Sequence, residues 1–177
     1  GDIHGCYDTL MQYPDFKEGL KDDTAYIFTG DYVDRGNQNA EVMLYLYSIM
    51  DRPSVYFLEG NHERWIRDYG NSAPAQSREF EQKTKPQFIA GGFTEKHARM
   101  FYRKVRQFSH FMWNGLEILA CHGGVPHINT NLVYMPTTAF INGVGTYAEY
   151  QTIADITVKV SAVNSDATTS KVTNRLS

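Results

Sequence analysis

The sequence predicts an α/β domain, and three observations predict it. Short β-branched and aromatic runs stop at glycine-bearing polar clusters, as buried strands with functional loops at their C-terminal ends do. Apolar residues at helical spacing fill the intervals between those runs. A length of 177 residues suits one domain with a substantial core and is short for two.

The elements follow in chain order. Thr24 to Thr29 forms the first apolar run and ends in Gly30-Asp31. Ala40 to Met50 places Val42, Met43, Leu46, Ile49 and Met50 on one helical face, with Asn39 as its N-cap. Ser54 to Leu58 is the second run and leads into Glu59-Gly60-Asn61-His62. A more polar helical stretch spans Gln76 to Ile89, and Thr94 caps a further helix expected to run from Glu95 to about Phe108. Leu116 to Cys121 is the third run, ends in His122-Gly123-Gly124, and pairs with Ser109 to Trp113 through the Asn114-Gly115 hairpin turn.

Both ends read differently from this pattern. Gly1 is not an initiator Met, and Asp2-Ile3-His4-Gly5 reads as a loop whose feeding strand lies outside the sequence. The composition shifts near Asp155, so we expect a domain over residues 1–155 and a Ser/Thr-rich tail over 156–177, with the domain incomplete at both ends. No internal repeat is found.

Composition excludes several classes. Hydrophobic residues make up 42%, which argues against wholesale disorder, and no run approaches the ~20 apolar residues of a membrane span. The first residues do not read as a signal peptide, and two cysteines, Cys6 and Cys121, are too few for a disulfide scaffold. A cytoplasmic protein that takes no membrane partner is the expectation. The net charge of −3 is uneven: residues 61–106 hold ten basic side chains against five acidic ones. A basic segment of this kind, 64–108 in the helical reading, is either a solvated helical face or a surface that attracts an anionic substrate.

The polar clusters share one chemistry. Asp2 and His4, Asp31 and Asp34, Asn61 and His62, and His122 all stand at run ends or tight loops framed by glycine. Any one alone is an ordinary turn, cap or core histidine; four together are hard to obtain by accident. Carboxylate, amide oxygen and imidazole suit Mn, Fe or Zn better than a soft-ligand metal. A set of this size can hold two divalent metal ions roughly 3.5–4 Å apart, an arrangement used in phosphoester hydrolysis.

Four motifs carry a resemblance: Gly1-Asp2-Ile3-His4-Gly5, Gly30-Asp31-Tyr32-Val33-Asp34-Arg35-Gly36, Gly60-Asn61-His62-Glu63 and His122-Gly123-Gly124. In this order they resemble the calcineurin-like metallophosphoesterases, and within them the phosphoprotein-phosphatase (serine/threonine phosphatase) branch, over about two-thirds of the chain. The resemblance implies a four-layer α/β/β/α fold, a β-sandwich flanked by helices. It implies that Asp2 and His4 hold a first metal, Asp31 bridges, and Asn61 and His122 hold a second, with Mn favoured and Fe or Zn as alternatives. It further implies hydroxide attack on phosphorus with His62 as general acid, Asp34 orienting His62, and Arg35 holding phosphate oxygens.

The departures shape the expected function. No histidine follows His127, so the family's final Gly-His ligand has no counterpart, and the second phosphate-binding arginine of the eukaryotic enzymes is not evident. The basic stretch after Glu63 shifts the resemblance toward bacterial and phage-type members. The expected activity is a metal-dependent phosphomonoesterase acting on a phosphoprotein or small phosphoester. The alternatives are a phosphatase of nucleotides or nucleic-acid ends, and a truncated, inactive domain that binds a metal or partner. His127, five residues after His122, is a further candidate for substrate contact.

Overall fold

A computed structural model describes residues 1–124 and 137–142. The chain divides into two units, Gly1–Arg106 and Gln107–Ser177. His127 and the tail from 156 to 177 lie outside the described residues.

The first unit is built on a parallel sheet in the order β1 (Tyr26–Phe28), β2 (Val55–Leu58), β3 (Val105–Arg106). Phe28 pairs with Phe57, and Phe57 in turn pairs with Val105. Parallel strands need crossovers, and helices supply them. Before β1 come α1 (Tyr7–Leu10) and α2 (Pro14–Glu18); α3 (Asn39–Ile49) crosses from β1 to β2. Between β2 and β3 lie α4 (Glu63–Gly70), a π-helical turn (Phe80–Thr84), α5 (Lys85–Gly91) and α6 (Glu95–Tyr102). The core is aromatic: Phe28 stacks on Phe57 at 5.2 Å between centroids, and Tyr32 and Phe101 meet Phe57 edge-on. A second aromatic group, Tyr69, Phe80, Phe88 and Phe93, fills the space among the helices that follow β2.

The second unit contains the antiparallel pair β4 (Phe108–Trp113) and β5 (Leu116–Cys121), and α7 (Thr137–Asn142). Trp113 pairs with Leu116 across Asn114 (φ 50°) and Gly115 (φ 79°), two left-handed residues that match the right-handed strand twist. Among the described residues no helix is long and apolar enough to cross a membrane.

The α/β expectation holds, with local corrections. Asn39 is the first residue of α3 rather than its cap; its side-chain amide donates to the Gly36 carbonyl and to Gln87 instead. The helix capped by Thr94 ends at Tyr102, because Val105 and Arg106 complete the backbone hydrogen bonding of β2 and Phe108 starts β4. Helical periodicity could not foresee that tertiary pairing. Thr94 does cap, in a reciprocal box in which the His97 side chain accepts from the Thr94 N–H. The strand expected over Leu116 to Cys121 is half exposed rather than buried.

Candidate metal centre

Parallel pairing explains why the clusters meet. Strands that run the same way deliver the loops after β1 and β2 to one edge of the sheet, the place where α/β folds build their sites. Gly30 and Gly60 make this close approach possible, since a Cβ on Gly30 would stand 2.5 Å from the Gly60 nitrogen. The N-terminal loop is laid over the same edge by backbone bonds: the Ile3 and His4 N–H groups both donate to the Asp31 carbonyl, and Gly5 N–H donates to Tyr32 O. Gly36 N–H closes the arrangement on the His4 carbonyl at 2.9 Å.

The backbone here is held in a sparsely populated region. Six non-glycine residues have positive φ among the described residues, and four of them are His4, Asp31, Asp34 and Arg35. Such conformations persist only where the surroundings over-determine them, and they concentrate at functional sites.

The side chains converge within the first unit. His4 Nε2, Asp31 and His62 offer ligand atoms that all lie within 4.8 Å of one another. His4 Nδ1–H donates to the Val33 carbonyl at 2.8 Å, so in the neutral tautomer that can ligate a metal Nε2 carries the lone pair. That Nε2 is buried, forms no hydrogen bond, and stands 3.5 Å from Asp31 Oδ2. Two lone pairs facing each other in a buried site repel unless a cation lies between them, so the donor set fits a divalent metal.

His62 is fixed from two sides. Its backbone N–H donates to Asp31 Oδ1, and its Nδ1–H donates to Asp34 Oδ2 at 2.6 Å. Burial pulls the His62 pKa down, yet the Asp34 hydrogen bond and the charges of Asp31, Asp34 and Glu63 outweigh it and leave the imidazole above its ordinary value. Asp34 is fully buried, and Arg35 beside it is exposed. Asn61 sits between Gly60 and His62, whose N–H groups are tied to Glu63 and Asp31 respectively. Asp2 is exposed, two residues before His4; His122 follows β5 directly, in the second unit.

Glu63 belongs to the fourth residue of a motif, yet the sequence alone gave it no role. Fully buried, it accepts the N–H groups of Asp31 (2.8 Å) and Gly60 (2.6 Å) on Oε2, and that of Tyr32 (2.9 Å) on Oε1. One side chain thereby ties the loops after β1 and β2 together. Burial, with the Asp31 charge second, pushes its pKa up to about 8 against the pull of the three N–H groups. Thr84, Glu79 and Lys83 also reach the Asp34-Arg35 turn, and no sequence motif marks them. Several other charged side chains of the basic stretch are paired: Arg67 with Asp68, Lys85 with Glu81 and Arg64 over the Trp65 ring locally, and Lys104 with the distant Asp51.

Comparison with known proteins identifies the family. The sequence model described as "Calcineurin-like phosphoesterase" matches residues 1–167. The chain is 34% identical over 143 residues to "Serine/threonine-protein phosphatase PP1-delta" of Caenorhabditis elegans, covering 73% of this chain and 40% of that protein. It is 43% identical over 65 residues to "Putative serine/threonine-protein phosphatase C27B7.6" of the same organism, covering 36% of this chain and 14% of the relative. The chain thus spans well under half the length of these relatives. Three of its glycine-framed motifs meet on one edge of the first unit's sheet, and the family match runs through nearly the whole length of the chain: the chain belongs to the calcineurin-like phosphoesterase family.

Proposed function

We propose that this chain is a metal-dependent phosphomonoesterase acting on phosphoserine or phosphothreonine in proteins. The observation that carries the reading is the pair formed by His62 and Asp34 at 2.6 Å, set beside the metal-ligating face of His4 and Asp31. The names of the similar proteins, serine/threonine phosphatases, favour a phosphoprotein over other phosphoesters.

On this reading Asp2, His4, Asp31, Asn61 and His122 hold two divalent cations, Mn being our choice. When bound, the cations supply Lewis-acid polarisation of the phosphoryl group and a nucleophile near neutral pH. The chain's own residues do the rest. Asp34 holds the His62 ring in one orientation through Nδ1, so that Nε2 carries the proton that goes to the leaving alkoxide. The Asp34 carboxylate, accepting from Nδ1–H, favours the protonated ring that a general acid requires. Arg35 binds phosphate oxygens with its planar fork and offsets charge that develops on them.

The test compares p-nitrophenyl phosphate with a phosphoserine peptide, with Mn²⁺ or EDTA, for the wild type and His62→Asn. The expected result is metal-dependent hydrolysis of both. His62→Asn should lose roughly 10²–10⁴-fold on the peptide, whose alkoxide needs a proton, and far less on the aryl ester. Equal loss on both substrates, or EDTA-resistant turnover, refutes the reading.

A further inference from the structure

We propose that Thr84, at the end of the π-helical turn, is a positioning residue that sets the catalytic imidazole of His62 through Asp34. The inference rests on the reading of His62 as general acid given above. Asp34 has two carboxylate oxygens and each has one partner: Oδ2 accepts from His62 Nδ1–H, and Oδ1 accepts the Thr84 hydroxyl. Thr84 and Asp34 are both fully buried, so no solvent competes for these bonds. A carboxylate held by one oxygen alone can swing about its Cβ–Cγ bond; held by both, it fixes the plane in which His62 must lie.

The π-helical turn places the hydroxyl there. Lys85 N–H reaches back five residues to the Phe80 carbonyl, so the turn from Phe80 to Thr84 is one residue wider than an α-helical turn. Pro86 gives the physical cause. It has no N–H to donate, and its ring would clash with the carbonyl four residues earlier in a regular helix. The widened turn relieves that clash and faces Thr84 toward Asp34. The same turn grips the strained segment twice more: Arg35 N–H donates to Glu79 Oε1 at 2.8 Å, and Lys83 Nζ donates to the Arg35 carbonyl. Asp34 and Arg35 have φ of 72° and 61°, a conformation that needs such outside support. This helical segment therefore holds both the residue that orients His62 and the arginine beside it.

Two readouts test the role, with Thr84→Val removing the hydroxyl at nearly constant volume and Thr84→Ser restoring it. In the metal-loaded protein Thr84→Val should lower kcat on a phosphoserine peptide about tenfold with KM changed less than about twofold, and Thr84→Ser should recover most of that loss. In the metal-free protein the His62 Nδ1 proton should give a slowly exchanging, downfield NMR resonance in the wild type and in Thr84→Ser. Thr84→Val should broaden or shift it. Should Thr84→Val fail to fold, Thr84→Ala makes the same comparison without the hydroxyl. The proposal is overturned if the valine variant keeps both its kcat and the His62 resonance, or if the serine variant loses as much as valine. It is also overturned if the wild type shows no such resonance. A fully active His62→Asn protein instead sinks the general-acid reading, and the resonance then judges the Thr84 hydrogen bond independently.

Discussion

Gly36 is where the N-terminal loop and the Asp34-Arg35 turn press together, and a single methyl group there should separate them. A Cβ on Gly36 would lie 2.2 Å from the His4 carbonyl oxygen, 2.4 Å from Gly5 O and 2.6 Å from Gly5 C. These are backbone atoms, so no side chain can rotate away. Reaching ordinary contact requires the two loops to part by about 1 Å, enough to weaken the bonds from Gly36 N–H to His4 O and from Gln38 N–H to Gly5 O. Overpacking of this kind costs about 1–3 kcal/mol and each weakened hydrogen bond about 1 kcal/mol, so Gly36→Ala should destabilise by about 3 kcal/mol. For a chain of this length that is a fall in Tm of about 6–12 °C. Because His4 moves relative to Asp31, Mn²⁺ affinity measured by calorimetry should drop as well, by about tenfold or more. Gly92→Ala is the control: nothing lies within 4 Å of its Cβ, and only its φ of 79° opposes alanine, at about 1 kcal/mol. If Gly36→Ala melts no lower than Gly92→Ala and binds Mn²⁺ like the wild type, the steric argument is wrong.

Two further outcomes follow from the same site. Tyr32 is fully buried and its hydroxyl spans the Leu58 carbonyl (2.6 Å) and the Phe28 carbonyl (3.0 Å), linking the C-terminal ends of β2 and β1, so Tyr32→Phe should cost about 1–2 kcal/mol in urea unfolding; a stability equal to the wild type would show that water replaces the hydroxyl. The pKa of His62 is raised above the ordinary 6.5, so in the metal-free protein its ion pair contributes stability that is fully present below about that pH and is lost as pH rises through the higher folded value. His62→Asn should flatten that part of the stability–pH curve, and an unchanged slope would assign it to another group.

Much of the candidate site was legible in the sequence because its residues fall in short local clusters. Asp2 and His4 are two residues apart, Asp31, Asp34 and Arg35 share one loop, and Asn61 and His62 are adjacent; glycines at their flanks announce tight turns. The runs Thr24 to Thr29 and Ser54 to Leu58 also read correctly as holding strands, since β-branched and aromatic side chains that stop at glycine leave few other choices. The short strand Val105–Arg106 did not, because two residues carry no period and only the free edge of β2 defines them.

What the sequence by itself determined is thus the inventory: which side chains able to ligate a metal are present, in what order, and which family they belong to. The tertiary structure alone decided who holds whom. Asp34 finds His62 across 28 residues and Thr84 across 50, and Glu63 reaches back 32 to the Asp31 N–H. Contacts of that span depend on the parallel register that stacks the loops on one edge, and on a proline-widened turn that no local pattern announces. Local chemistry is written residue by residue along the chain, whereas the orientation of a ring such as that of His62 is set by partners whose separation in sequence carries no signal until the backbone is folded.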